Sequence, residues 1–232
     1  MGAPAQERVG TNTTEKKPNM AFIDTIPAAE ARDALRDMYV RQQRTWGYVP
    51  NYAKVFCYRP QVMARWGQLL AEIKRPMSKR RFELITFTAA HELRHSACAL
   101  AHGKALREFF DDEQILAIAE DRLAGVLHAP EQAMLRFTRQ VARDASSVSA
   151  AQVAELEACG FSAAEIFDIA ATAAGRAFFT KLLDALGVLP DSAFLACSAD
   201  FRHTLTLGRA IDETECETVA VPEEGDVAWE SG

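Results

Sequence analysis

Apolar residues recur at three- and four-residue spacings along most of the chain, with polar residues on the opposite face, and no stretch shows the two-residue alternation of a strand. Pro27 suits the first position of a helix whose buried face is marked by Ala31, Leu35, Met38 and Tyr39 and which runs to about Arg41. Gly47 and Pro50 interrupt the pattern, a short helix follows from Tyr52 to Tyr58, and Arg59-Pro60 turns the chain. Met63, Trp66, Leu69, Leu70 and Ile73 then outline an amphipathic helix over 61–74, stopped by Pro76. With Ser78 as its cap, Lys79 opens the longest helical run, rich in Ala, Leu and Phe as far as Phe110. Asp111 and Asp112 favour a new helix to about Glu120, and another is expected over 131–143. Ser149 with Gln152 and Ser162 with Glu165 are capping boxes that open a short helix closing near Gly160 and a long one closing near Gly187. The pattern predicts an all-α fold.

The two ends break this periodicity. Residues 1–19 are polar without a hydrophobic period, which predicts a disordered leader ahead of a helical domain over 20–200. After Arg209 no Lys or Arg occurs, while Asp212, Glu213, Glu215, Glu217, Glu223, Glu224, Asp226 and Glu230 repel one another, so 201–232 is expected to form an acidic, largely disordered tail. At 232 residues and 49% hydrophobic composition the chain can bury one substantial core. Its net charge of −6 gives no footprint for nucleic acid, the basic run Lys79-Arg80-Arg81 being short. No apolar run approaches 18 residues and no apolar segment opens the chain, so neither a membrane span nor a signal peptide is expected. Five scattered cysteines, an odd number, argue against a disulfide framework, and a reducing cytoplasm is the expected setting.

Chemistry concentrates in one stretch of the long run. His91, His95, Cys98 and His102 fall at relative positions 0, 4, 7 and 11, which on a continuous helix stacks them along one narrow stripe. Imidazole and thiol both titrate near neutrality, so such a stripe can relay protons, activate a sulfur or bind a metal. His91-Glu92-Leu93-Arg94-His95 fits the H-E-x-x-H pattern of zinc proteases, but three fixed positions in five are a weak signal and no strands provide a substrate cleft. All four side chains are legitimate metal ligands. On one straight helix, however, His91 and His102 stand about 16 Å apart, so at most two neighbours plus outside ligands could hold an ion, and no metal or other cofactor is expected. Cys98, flanked by His95 and His102, is a candidate activated thiol, weighed against a small buried hydrophobe on an Ala-rich helix.

Val49-Pro50-Asn51, Arg59-Pro60, Arg81-Phe82-Glu83-Leu84-Ile85, a Cys-x-x-x-His on an Ala-rich helix and Glu165-Ile166 ahead of the long closing helix together resemble the carboxymuconolactone decarboxylase and AhpD-like alkylhydroperoxidase superfamily. The resemblance spans roughly residues 22–190. It implies an all-helical fold, a homo-oligomer built as a trimer or hexamer, and a small-molecule substrate. The peroxidase branch uses Glu-x11-Cys-x-x-Cys-x-x-x-His, in which the second Cys attacks peroxide, the first resolves it, and Glu and His relay protons. Glu83, Cys98 and His102 match that spacing, but His95 replaces the first cysteine. An internal disulfide at this motif is therefore excluded, and a single-cysteine hydroperoxide reductase would need an external thiol. A lyase or hydrolase using His and Glu as acid and base is the alternative, and a metal-binding or non-catalytic assembly protein a third. If one straight helix joined them, Glu83 and His95 would lie about 18 Å apart, so a relay requires a turn between them or help from a neighbouring protomer.

Two apolar groupings complete the picture. Trp46, Tyr48, Tyr52, Phe56 and Tyr58 could wall a pocket, though core packing is the commoner fate of such a cluster. Phe178, Phe179, Leu182 and Leu186 form an apolar face expected to serve as a subunit interface.

Overall fold

The computed structural model describes residues 20–221, so the leader expected over 1–19 and the acidic positions Glu223, Glu224, Asp226 and Glu230 lie outside the described residues. Among the described residues the regular structure is entirely helical: α1 (Asp33–Trp46), α2 (Asn51–Lys54), α3 (Pro60–Lys74), α4 (Lys79–Glu92), α5 (Ser96–Leu106), α6 (Asp112–Ala119), α7 (Ala129–Asp144), α8 (Ala150–Ala158), α9 (Ala163–Ala185) and α10 (Ala199–Leu205). The first helix starts later than its hydrophobic spacing suggests, because Ala28–Glu30 forms a separate 3-10 turn. The capping boxes are present. Ser162 Oγ accepts the Glu165 N–H and Glu165 Oε2 accepts the Ser162 N–H at 2.9 Å. Asp111 and Gln114 exchange the same pair of bonds at the head of α6.

Helix α4 is apolar nearly all round, with Phe82, Leu84, Ile85, Phe87, Ala89 and Ala90 all buried, and such a helix belongs at the centre. It packs against α5, α7 and α9. Its entry is held by ion pairs that tie it to other elements: Arg80 to Glu131 at 2.8 Å, and Arg81 to the capping Glu165 at 2.7 Å. The apolar residues divide into two clusters, one around α4 to α7 and the first half of α9, the other joining α1 to α3 to the second half of α9 and including Cys98. Gly175 lets α3 approach α9, since a Cβ there would sit 3.2 Å from the Trp66 ring. Trp66 stacks on Phe179 as a result, with ring centroids 5.7 Å apart.

The run from Lys79 to Phe110 is not one helix. Helix α4 ends at Glu92, Arg94 adopts the left-handed region with φ 55°, and α5 begins afresh at Ser96. This corrects the single stripe expected for His91, His95, Cys98 and His102. The left-handed turn costs an L residue roughly 1–2 kcal/mol, so other contacts must hold it. Arg94 donates to the Leu207 carbonyl at 2.8 Å, and Gly208, where a Cβ would lie 2.5 Å from the Arg94 oxygen, packs flat on the turn while its N–H donates to Ser96 Oγ at 2.9 Å.

The C-terminal stretch also differs from expectation in its described part. Beyond α10, residues 206–221 lack helix yet are fastened along their length. The Glu217 carboxylate accepts the Ala28 N–H and binds buried Lys54, both at 2.8 Å, Asn51 donates to Asp212, and the Val219 N–H donates to Gln43. Acidic residues that repel in an extended chain find donors on the body of the protein here. No helix among the described residues is long and apolar enough to cross a membrane.

Candidate active site

The break at Arg94 turns one sequence stretch into two facing helices. Glu83, in the second turn of α4, and His102, near the end of α5, meet with Oε2 and Nδ1 2.6 Å apart, although 19 residues separate them. A carboxylate only accepts, so Nδ1 carries the shared proton and Nε2 keeps a lone pair. Burial pushes Glu83 up, but the hydrogen bond from His102, with the positive charges of Lys74 and Arg176 nearby, outweighs it and holds the carboxyl below its ordinary value. Burial and the Arg176 charge hold His102 below the ordinary imidazole range despite Glu83. At neutral pH the pair is therefore a carboxylate and a neutral imidazole, a composition suited to accepting a proton at Nε2.

Cys98 sits in the first turn of α5, where backbone N–H groups favour an anion. His95 is the N-cap, its Nδ1 accepting the Cys98 N–H at 3.1 Å, while its Nε2 faces Asp184 Oδ1 at 3.9 Å. Burial drives the Cys98 thiol up, yet His95 and Arg176, through charge and hydrogen bonding, more than reverse this and leave it below the ordinary thiol value. The same pairing lifts His95 above the usual imidazole range against the effect of burial. Nδ1 cannot both cap the helix and hold a proton, so protonation there releases the Cys98 N–H.

His102 is hydrogen-bonded to Glu83 and lines the same cavity as Cys98. The second group at Cys98 is Arg176, whose Nη1 donates to Sγ at 3.4 Å from α9. Sequence reading passed over Arg176. Its signal was present: a lone charge within Ile169-Ala170-Ala171-Thr172-Ala173-Ala174-Gly175-Arg176-Ala177-Phe178-Phe179 has no solvated face to occupy.

His91 is separate from these groups. It ends α4 with its ring 6.1 Å from Phe87, and burial with the charge of Arg139 lowers its basicity. The zinc-protease pattern needs both histidines on successive turns of one helix, and the turn at Arg94 divides them. Among the described residues no three His, Cys, Asp or Glu side chains converge as metal ligands, and all five cysteines are free.

Cys98, Glu83, His102 and Arg176 open onto a cavity of about 440 Å³. Its wall includes Trp46, Tyr52, Met63, Trp66, Leu70 and Phe179, so two members of the sequence's aromatic cluster do face a pocket. Phe56 stacks on Phe179 in the core, and Tyr58 is exposed. The expected interface face splits likewise: Phe179 is buried at the cavity, and Phe178 is half exposed beside Trp66.

No family model matches the sequence, and no curated protein matches it. Solved structures do. A peroxidase-related protein from Ralstonia eutropha JMP134, described as an alkylhydroperoxidase AhpD core, superposes with TM-score 0.66 at 21% identity, covering 76% of this chain and 95% of that one. A peroxidase-related protein from Silicibacter sp. TM1040 gives TM-score 0.68 at 21% identity over 78% and 98%. The debrominase Bmp8, with one cysteine replaced by alanine and in complex with 2,3,4-tribromopyrrole, gives 0.62 at 17% identity over 78% and 94%. The chain thus has the AhpD-like helical fold, with Cys98, His102, Glu83 and Arg176 at its pocket.

Proposed function

We propose that this protein is a thiol-based oxidoreductase that reduces hydroperoxides with Cys98 as its single reacting sulfur. The observation that carries the reading is the setting of that sulfur: in the first turn of α5, paired with His95 and Arg176, and open to a cavity that also holds the Glu83–His102 pair. In this scheme the Cys98 proton passes to an imidazole and the thiolate attacks the distal oxygen of the hydroperoxide. The O–O bond breaks, sulfur is oxidised by two electrons to the sulfenic acid, and the leaving alkoxide takes the held proton as an alcohol. His95 stands where a resolving thiol would be needed. One external thiol therefore condenses with the sulfenic acid, releasing water, and a second exchanges with the mixed disulfide to regenerate Cys98. Cumene hydroperoxide consumption driven by dithiothreitol tests this; it should vanish in Cys98→Ser and persist in Cys57→Ser.

A lyase or hydrolase reading has its own support. Glu83 and His102 bind each other and not the thiol, leaving Nε2 free as a base at the cavity. Turnover of a carboxylated lactone that survives Cys98→Ala but not His102→Ala would select it. Two fold neighbours are named peroxidase-related and another a debrominase, so the fold alone does not choose the reaction. The exposed apolar residues Val62, Leu69 and Phe178, which line a shallow groove, support assembly as a homo-oligomer, for which the family resemblance implies a trimer or hexamer, measurable by light scattering against the 25.6 kDa protomer.

A further inference from the structure

Arg176 is 6% exposed, and no carboxylate among the described residues forms an ion pair with it. Of its five N–H donors, one at Nη1 is used among the described residues, on Cys98. Nε is buried without a hydrogen-bond partner, and Nη2 donates to no protein acceptor among the described residues. These two nitrogens share one edge of the guanidinium plane, and their spacing matches the two oxygens of a carboxylate. A buried guanidinium edge with its donors unmet is costly, so its retention points to a ligand.

The surrounding carboxylates are already engaged, Glu83 by His102 at 2.6 Å and Asp191 by the Asn51 N–H at 2.7 Å. Lys74 adds a second cation at the wall, its ammonium 4.9 Å from the Phe82 ring centroid. The remaining lining is dominated by aromatic and aliphatic side chains, and a volume of about 440 Å³ falls within the range of pockets for small organic molecules, roughly 300–1,000 Å³.

We infer that the cavity binds an anionic amphiphile, a small carboxylate with an aromatic or alkyl body, gripped by the Nε–Nη2 edge of Arg176 while its body lies against Trp66 and Phe179. This deepens the thiol reading and rests on it for the chemistry: an anion held by the arginine that also holds Sγ keeps the substrate's reactive bond beside Cys98. Arg176 then has two roles, lowering the thiol's basicity through Nη1 and selecting the substrate through its other edge.

The test compares 4-phenylbutanoate with 4-phenylbutan-1-ol, the same body without the charge, by calorimetric titration of the full-length protein with Cys98 intact. The carboxylate should bind at least about tenfold more tightly, the worth of a charge-assisted bidentate contact. Arg176→Gln should erase that preference while leaving the alcohol's affinity within about twofold, a built-in check on folding. Arg176→Lys, which keeps the charge and loses the fork, should retain only a small part of it. Equal binding of the two probes, no binding of either, or a full preference in Arg176→Lys overturns the proposal. Neither probe oxidises or alkylates a thiol, so loss of hydroperoxide turnover leaves this result standing, and failure here leaves Cys98-dependent turnover standing.

Discussion

Cys98 and Cys57 belong to the same apolar cluster and are buried alike, 6% and 5% exposed, yet their surroundings differ in kind. Cys98 faces an imidazole, a guanidinium and the start of a helix, whereas no hydrogen bond to the Cys57 sulfur is found among the described residues. Burial alone makes a cysteine a small hydrophobe; burial among cations makes it a stabilised anion. The contrast separates packing from chemistry within one cluster, and it can be broken in several places.

The largest effect is expected from the sulfur itself. Cys98→Ser should lower hydroperoxide turnover by roughly a thousandfold or more, since no other group supplies the nucleophile, and Cys57→Ser should leave turnover near the parent level while reducing stability. Steady-state kinetics and urea denaturation of both variants decide this. Next comes the cation on α9. Arg176→Gln should slow alkylation of native Cys98 near pH 7 by about tenfold, because the guanidinium that favours the thiolate is gone. His95→Ala should slow it too and cost about 1 kcal/mol of stability through the lost cap on α5.

The Glu83–His102 pair gives a pH signature. Glu83 is held below its ordinary 4.5, so the unfolded chain binds more protons than the folded one. Its contribution is present above pH 4.5 and is lost as the pH falls through the lowered folded value. Glu83→Gln should therefore cost about 1–3 kcal/mol at neutral pH, by urea denaturation, and progressively less in acid. A cost independent of pH would contradict an ionised Glu83 carboxylate. His91→Ala should have the smallest effect, within about twofold on Cys98 alkylation, because the turn at Arg94 removes His91 from the site.

That turn also marks where sequence reading reached its limit. The amphipathic helices, their caps and the all-α architecture were legible because spacing and capping are local signals. Glu165 shows the strength of such signals, closing a capping box and also pairing with Arg81. The turn carries no such mark. Leu93, Arg94 and His95 include neither Gly nor Pro, and the left-handed residue is held by Leu207 and Gly208, more than a hundred residues away. Long-range contacts of this kind decided which histidine meets which partner. Residue type and spacing mark Glu83, Cys98, His95 and His102 as candidates, but pairing His102 with Glu83 and Cys98 with Arg176 requires the fold. The acidic C-terminal stretch misled for a similar reason: Lys54 and Asn51, which receive Glu217 and Asp212, lie far away in sequence.

The central claim, that Cys98 is an activated thiol, is tested most directly by the pH dependence of its alkylation in the native protein. Iodoacetamide labelling followed by peptide mass spectrometry gives rates for Cys98, Cys57 and Cys197 in one experiment. The account requires Cys98 to react fastest at neutral pH, with a titration midpoint below the ordinary thiol value of 9.0, and Arg176→Gln to move that midpoint upward. A midpoint at or above 9.0, or one that Arg176→Gln leaves in place, would show that the sulfur is packing material and that the chemistry of this cavity belongs to Glu83 and His102.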